Sequence, residues 1–77
     1  MHSYIITNLN GVRSVSRSDG WALPNDMGNR MTERFVWEWM NGAPCVNQDG
    51  QPRPYTLARL HQLSPHMQPV LEEPEDR

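Results

Sequence analysis

The chain has no lysine and only one cysteine, Cys45, among its 77 residues. A lone cysteine cannot close an intramolecular disulfide, which excludes the secreted mini-proteins that use covalent staples in place of a large core. Long apolar runs are also missing: none exceeds three residues. A bilayer-spanning helix needs about 20, so no membrane association is expected. The opening residues, Met1 to Asn8, show neither the basic start nor the apolar stretch of a secretory leader. A cytoplasmic location is the expectation by elimination. There is no internal repeat.

Charge of one sign is lacking too, once the chain is divided. Residues 72–77 hold four acids and one arginine, a net of −3, while residues 1–71 hold six arginines against five acids, a net of +1. A body so close to neutral is neither a polybasic nucleic-acid binder nor an acidic mimic of DNA. Every base is arginine. GC-rich coding would produce that bias, and arginine also suits interfaces because its planar fork pairs bidentately and stacks on rings.

Catalytic motifs are absent. The sequence contains no G-x-S-x-G and no glycine-rich loop leading from a strand into a helix, so neither a nucleophile elbow nor a phosphate cradle is indicated. Cys45 with His61 or His66 is the one nucleophile and base that folding could assemble, but a cysteine beside a proline more simply packs as a small hydrophobe. For a metal the candidates are Cys45, His2, Asp49, His61 and His66. His61 and His66 are five apart with Pro65 between them, which keeps them off one helical face. Neither metal nor cofactor is expected. A chain this short also struggles to enclose a pocket of roughly 300 Å³, so the sequence suggests a non-enzyme without a small-molecule substrate.

What is present is a set of clear local patterns. Tyr4 to Leu9 and Val12 to Arg17 flank Asn10-Gly11, the dipeptide best suited to a type I′ hairpin turn. That turn pairs Leu9 with Val12, Ile6 with Val15 and Tyr4 with Arg17. One face then carries Tyr4, Ile6 and Val15 with Arg13 and Arg17 at its edges; the other carries Ile5, Thr7, Leu9, Val12 and two serines. Alternation alone does not say which face is buried. After a turn at Ser18-Asp19-Gly20, Trp21 to Leu23 suggests a short third strand ended by Pro24.

A helix is expected from about Asp26 to Asn41, capped by Asn25 or Asp26 and stopped by Gly42 and Pro44, with Gly28 able to move its start toward Asn29. Met27, Met31, Phe35 and Trp39, broadened by Val36 and Met40, form its apolar stripe. Cys45 to Tyr55 reads as a loop with an irregular hairpin at Asp49-Gly50 and an edge strand at Cys45-Val46. A short helix follows from Thr56 to Leu63, with Leu57, Leu60 and Leu63 on one side. Ser64-Pro65 could open one further turn before Pro69 ends it, and Val70 and Leu71 dock.

The fold class expected is therefore α+β: an antiparallel hairpin or three-stranded sheet on one amphipathic helix, a short C-terminal helix, a single domain over residues 1–71 and a disordered acidic tail over 72–77. A chain of this length buries only roughly 60% of its unfolded surface, which leaves room for a homodimer or a partner-stabilised state.

Function is read from Trp37. On the helical wheel it lies opposite the apolar stripe, among Arg30, Glu33 and Arg34, in the composition that interface anchors favour. Alternatively, the loop from Cys45 to Tyr55 folds over it. Arg13 and Arg17 on the hairpin complete the candidate contact set, and the hairpin edge could accept a strand from another chain. The resulting expectation is a small non-enzymatic regulatory or inhibitory protein, of the kind phages and mobile elements encode, that covers a surface of a larger protein or nucleoprotein. The alternative is a small DNA-binding accessory or transcription-regulatory factor using the arginines of hairpin and helix, in outline like a winged helix.

Overall fold

The computed structural model describes residues 1–75. Its elements in chain order are β1 (Tyr4–Leu9), β2 (Val12–Arg17), β3 (Ala22–Leu23), α1 (Arg30–Met40), β4 (Cys45–Asn47) and α2 (Leu57–Leu63). The class is α+β. The four strands form one sheet in the order β3-β2-β1-β4.

The hairpin has the expected register, with Tyr4 opposite Arg17, Ile6 opposite Val15 and Leu9 opposite Val12. Its turn holds Asn10 at φ 54° and Gly11 at φ 84°, the two positive angles that a type I′ turn demands. Ala22 and Leu23 add the third strand against Ser16 and Val15. Burial then settles the choice of face: Tyr4, Ile6, Val15 and Leu23 point inward.

β4 differs most from expectation. The chain leaves β3, passes through α1, and returns to lay Cys45, Val46 and Asn47 parallel to Tyr4, Ile5 and Ile6. The edge strand expected at Cys45-Val46 is therefore present, but it pairs with β1, widens the sheet to four and makes β1 an interior strand. Beyond it, Asn47, Gly50, Gln51 and Arg53 close the irregular hairpin through Asn47 N to Gln51 O at 2.8 Å and Arg53 N to Cys45 O at 2.8 Å. The free edges left by the two shortest strands are met by side chains: the Asn8 amide donates to Gln48 Oε1 at 3.1 Å, and Asn25 Nδ2 donates to the Arg13 carbonyl at 3.0 Å. That corrects the idea of a hairpin edge open to strand addition, because side chains already occupy ladder positions there.

α1 begins later than Asp26. Asp26 instead forms its own turn, accepting from the Gly28 amide at 2.9 Å, and Asn29 caps the helix by accepting from Met31 N and Thr32 N. Phe35, Val36 and Trp39 are buried as the stripe requires, while Met27, Met31 and Met40 pack partly buried around them. An aromatic row ties the layers together. Tyr4 meets Phe35 edge-on at 4.8 Å, Phe35 stacks on Trp39 at 5.2 Å, and Trp39 meets Tyr55 edge-on at 5.3 Å. Contacts of this geometry add roughly 0.5–1.5 kcal/mol each beyond area burial.

α2 is capped by Thr56, whose hydroxyl accepts from Arg59 N at 3.1 Å, and it closes the core with Leu60 and Leu63 while Leu57 stays exposed. Ser64-Pro65 opens a single hydrogen-bonded turn, closed by Met67 N donating to Ser64 O at 3.1 Å, and the Met67 side chain enters the core. Val70 packs against the core and Leu71 does not. In the tail, Glu73 and Pro74 lie against Arg34, and residues 76 and 77, with the disorder expected of them, fall outside the described residues.

Two buried polar residues belong to α1 as well. Thr32 Oγ1 donates to the Pro24 carbonyl at 2.6 Å, anchoring the helix to the end of β3. Glu38 Oε1 accepts from the His2 amide at 2.8 Å and from the Tyr4 hydroxyl at 3.2 Å, and Oε2 lies 3.9 Å from Arg34 Nη1. Burial first, then the Glu38 carboxylate, push the Tyr4 phenol above its usual range. The folded state therefore keeps the phenol proton at pH values where the unfolded chain loses it. This stabilisation is complete below about pH 10 and is lost as pH rises toward the folded-state value.

Tyr4→Phe should lower unfolding free energy by about 1–3 kcal/mol at neutral pH, because a buried carboxylate loses a donor. Urea titration measures it; an unchanged midpoint would mean that His2 and Arg34 satisfy Glu38 alone. The same titrations between about pH 9 and 11 should show a shallower alkaline loss in Tyr4→Phe than in the parent chain.

Candidate interaction surfaces

The six residues singled out from the sequence do not form one surface. Trp37 projects from the side of α1 away from Phe35, yet it is half-buried, with the Arg34 guanidinium carbon 5.8 Å from its ring centroid. Arg34 is itself engaged: Nη1 donates to Glu73 Oε1 at 3.1 Å and Nη2 to the Pro74 carbonyl at 2.7 Å. The acidic tail therefore holds the arginine that shields Trp37. The loop from Cys45 to Tyr55 closes on a different ring: Trp39 Nε1 donates to the Arg53 carbonyl at 2.8 Å, beside Tyr55. Arg30 is exposed at the start of α1, and Glu33 is half-buried in its first turn, where its charge favours the helix dipole.

Arg17 is also occupied. Its Nε and Nη2 fork the Asp19 carboxylate at 2.6–3.0 Å, which raises the affinity of the guanidinium for its proton and lowers that of Asp19. Arg17 and Arg34 approach the Tyr4 end of the sheet from strand and helix, each neutralised by its own acid. Arg13 lies toward the other end, half-buried, opposite Asn8. Its charge neighbours are Arg53 and Asp49, not the arginines of α1.

The sequence also left one surface unassigned, the outer face of the sheet. β1 presents Ile5, Thr7 and Leu9 there; β2 presents Val12, Ser14 and Ser16. Ala22 and Val46 extend the row through Ser16 and Ile5. None of these side chains is charged. No helix covers them: Leu9 is 74% exposed and Val12 66%. Trp21, also exposed, lies opposite Arg17 and so belongs to the other side of the sheet. Alternation along the hairpin already separated this set, and its freedom from charge was the available signal.

For chemistry, the described residues include no group of three or more His, Cys, Asp or Glu placed to hold a metal. No described helix is long and apolar enough to cross a membrane. Cys45 is a free, buried thiol whose pKa burial pushes up to about 11, while His61 and His66 are exposed. A thiol so raised is almost wholly protonated near neutrality and a poor nucleophile. In the native protein it should react with a disulfide reagent at pH 8 on the order of 100-fold more slowly than in urea. Equal rates in the two conditions would overturn the buried assignment.

Comparison with protein-family models, with curated proteins and with solved structures returned no match.

Proposed function

We infer that the protein is a small non-enzymatic binding module, regulatory or inhibitory in role, that covers a surface of a larger protein or nucleoprotein partner. The observation that carries this reading is the uncharged outer face of the sheet, with Leu9 and Val12 open to water. Full burial of one large aliphatic side chain contributes roughly 1.5–3 kcal/mol. A domain this small leaves that contribution unused at several positions on one side. The centre of a protein interface is depleted in charge, and this face carries none.

The arginines favour the same reading over the nucleic-acid one. Arg17 and Arg34 are paired with Asp19 and Glu73, so contacting phosphate would require breaking those pairs. Trp37, half covered by Arg34, is a secondary contact that becomes available if the tail moves away.

The test is affinity capture from lysate of the source cell, with and without nuclease, comparing the parent chain with Leu9→Glu/Val12→Glu and with Trp37→Ala. The double variant lies at an exposed turn and should change stability by less than about 1 kcal/mol. Its loss of a nuclease-resistant partner, with an unchanged circular dichroism spectrum, is the expected result. Loss only in Trp37→Ala would move the contact to α1. Capture that vanishes on nuclease treatment or falls steeply with salt would replace this reading with DNA binding.

A further inference from the structure

The inner face of the sheet changes character along its length. β1 passes from buried Tyr4 and Ile6 to exposed Asn8, and β2 passes from buried Val15 to half-buried Arg13, both toward the hairpin turn. At that end Asn8 and Arg13 meet the segment after β4. Together with Ile6, Asn47, Gln48, Asp49 and Arg53 they line a cleft of about 240 Å³. It lies on the side of the sheet opposite Leu9 and Val12.

The electrostatics of this corner are lopsided. Ion pairs among the described residues use His2, Arg17 and Arg34, and leave out Arg13, Arg53 and Arg59. Arg53 gives Nη2 to Gln62 Oε1, but its Nε is buried without an acceptor. A buried charged donor left unmatched costs more than an ordinary missing hydrogen bond. Burial, followed by repulsion from Arg13 and Arg59, makes the Arg53 guanidinium less willing to hold its charge. Gln48 has committed its Oε1 to the Asn8 amide, which leaves its amide hydrogens to donate. Asp49 is the sole carboxylate in the lining, and its Oδ1 accepts from Gln51 N at 3.2 Å.

We propose that this cleft is a binding site for a phosphate-class oxyanion, gripped by Arg13 and Arg53 with amide donors around it. Two guanidinium groups from different segments match an anion that offers three or more acceptor oxygens and more than one negative charge. A carboxylate, with two oxygens, would leave donors unmatched. The cleft has room for more than the anion alone, so a phosphate that is part of a larger molecule fits it. Either a small phosphate ester or the backbone of a nucleic acid presents the same chemistry.

The test is a titration of the isotopically labelled full chain, followed by amide and arginine Nε resonances. Inorganic phosphate is the first probe, sodium chloride at matched ionic strength the control, and a short DNA duplex the second probe. Phosphate should produce saturable shifts at Arg13, Arg53, Asn8 and Asn47 that chloride does not. Arg13→Gln should weaken binding roughly tenfold, and Asn8→Asp, which adds a negative charge without touching an arginine, should do the same. These two variants keep the Arg53 contacts, so the result stands even if Arg53→Gln fails to fold. Tighter binding of the duplex through the same resonances identifies a polymer backbone as the source, and its absence identifies a small ester. Shifts that chloride reproduces, or that survive both Arg13→Gln and Asn8→Asp, overturn the site. Leu9→Glu/Val12→Glu should bind phosphate like the parent chain, so this proposal and the outer-face reading fail separately.

Discussion

The buried carboxylate of Glu38 is the point on which the two layers are aligned. A charge removed from water is strongly destabilising unless its oxygens are matched by donors. Here the partners come from three places: the His2 amide ahead of β1, the Tyr4 hydroxyl on β1, and Arg34 one turn earlier on α1. An apolar contact between sheet and helix tolerates sliding. A carboxylate with directed donors does not, so it fixes both the height and the rotation of α1 over the strands. Phe35 and Trp39 then meet Tyr4 and Tyr55 in one row. Arg34 carries the constraint outward, because the same guanidinium reaches Glu73, Pro74 and the ring of Trp37.

That arrangement explains which parts of the structure the sequence disclosed. The hairpin was legible to the residue, since Asn10-Gly11 fixes register through backbone angles that few other pairs adopt. Both helices were legible in their apolar spacing, and the short third strand in the run before Pro24. Glu38 was not. On the wheel it borders the apolar stripe, where a carboxylate ordinarily turns to solvent, and the His2 amide and Tyr4 hydroxyl that donate to it lie more than thirty residues away in sequence. The parallel pairing of Cys45 to Asn47 with β1 was hidden for the same reason: three residues have no period to read, and the partner is remote. Trp37 illustrates the limit of wheel arguments. Its angular position was read correctly, but a charged neighbour pinned by the tail decides its exposure, and no helical period reports on a tail.

The candidate surfaces were legible in unequal degree. Alternation separates the residues of the outer face from the inner set, but it does not say that this face, and not the tryptophan among charges, stays open. The cleft was invisible. Arg13 stands out in the sequence as a hairpin base, but Arg53 sits between two prolines in an irregular segment, and Asn8 and Gln48 signal nothing until the fold brings them together.

The three tryptophans show how this small domain distributes a scarce resource. Trp39 is inside, with its one polar atom bonded to the Arg53 carbonyl. Trp37 lies under an arginine, and Trp21 is exposed. Meanwhile a threonine and a glutamate are buried, while Leu9 and Val12 face water. Selection for the stability of an isolated chain would favour the opposite allocation, because each exposed aliphatic side chain forgoes burial and each buried polar group demands matched partners. Local rules broken in this way are expected where a surface serves something beyond its own fold. On the proposed reading, the uncharged sheet face completes its burial against a partner. The Glu38 cluster then has a purpose that a wholly apolar core would not serve: it holds the sheet rigidly in one orientation, so that little ordering remains to oppose binding.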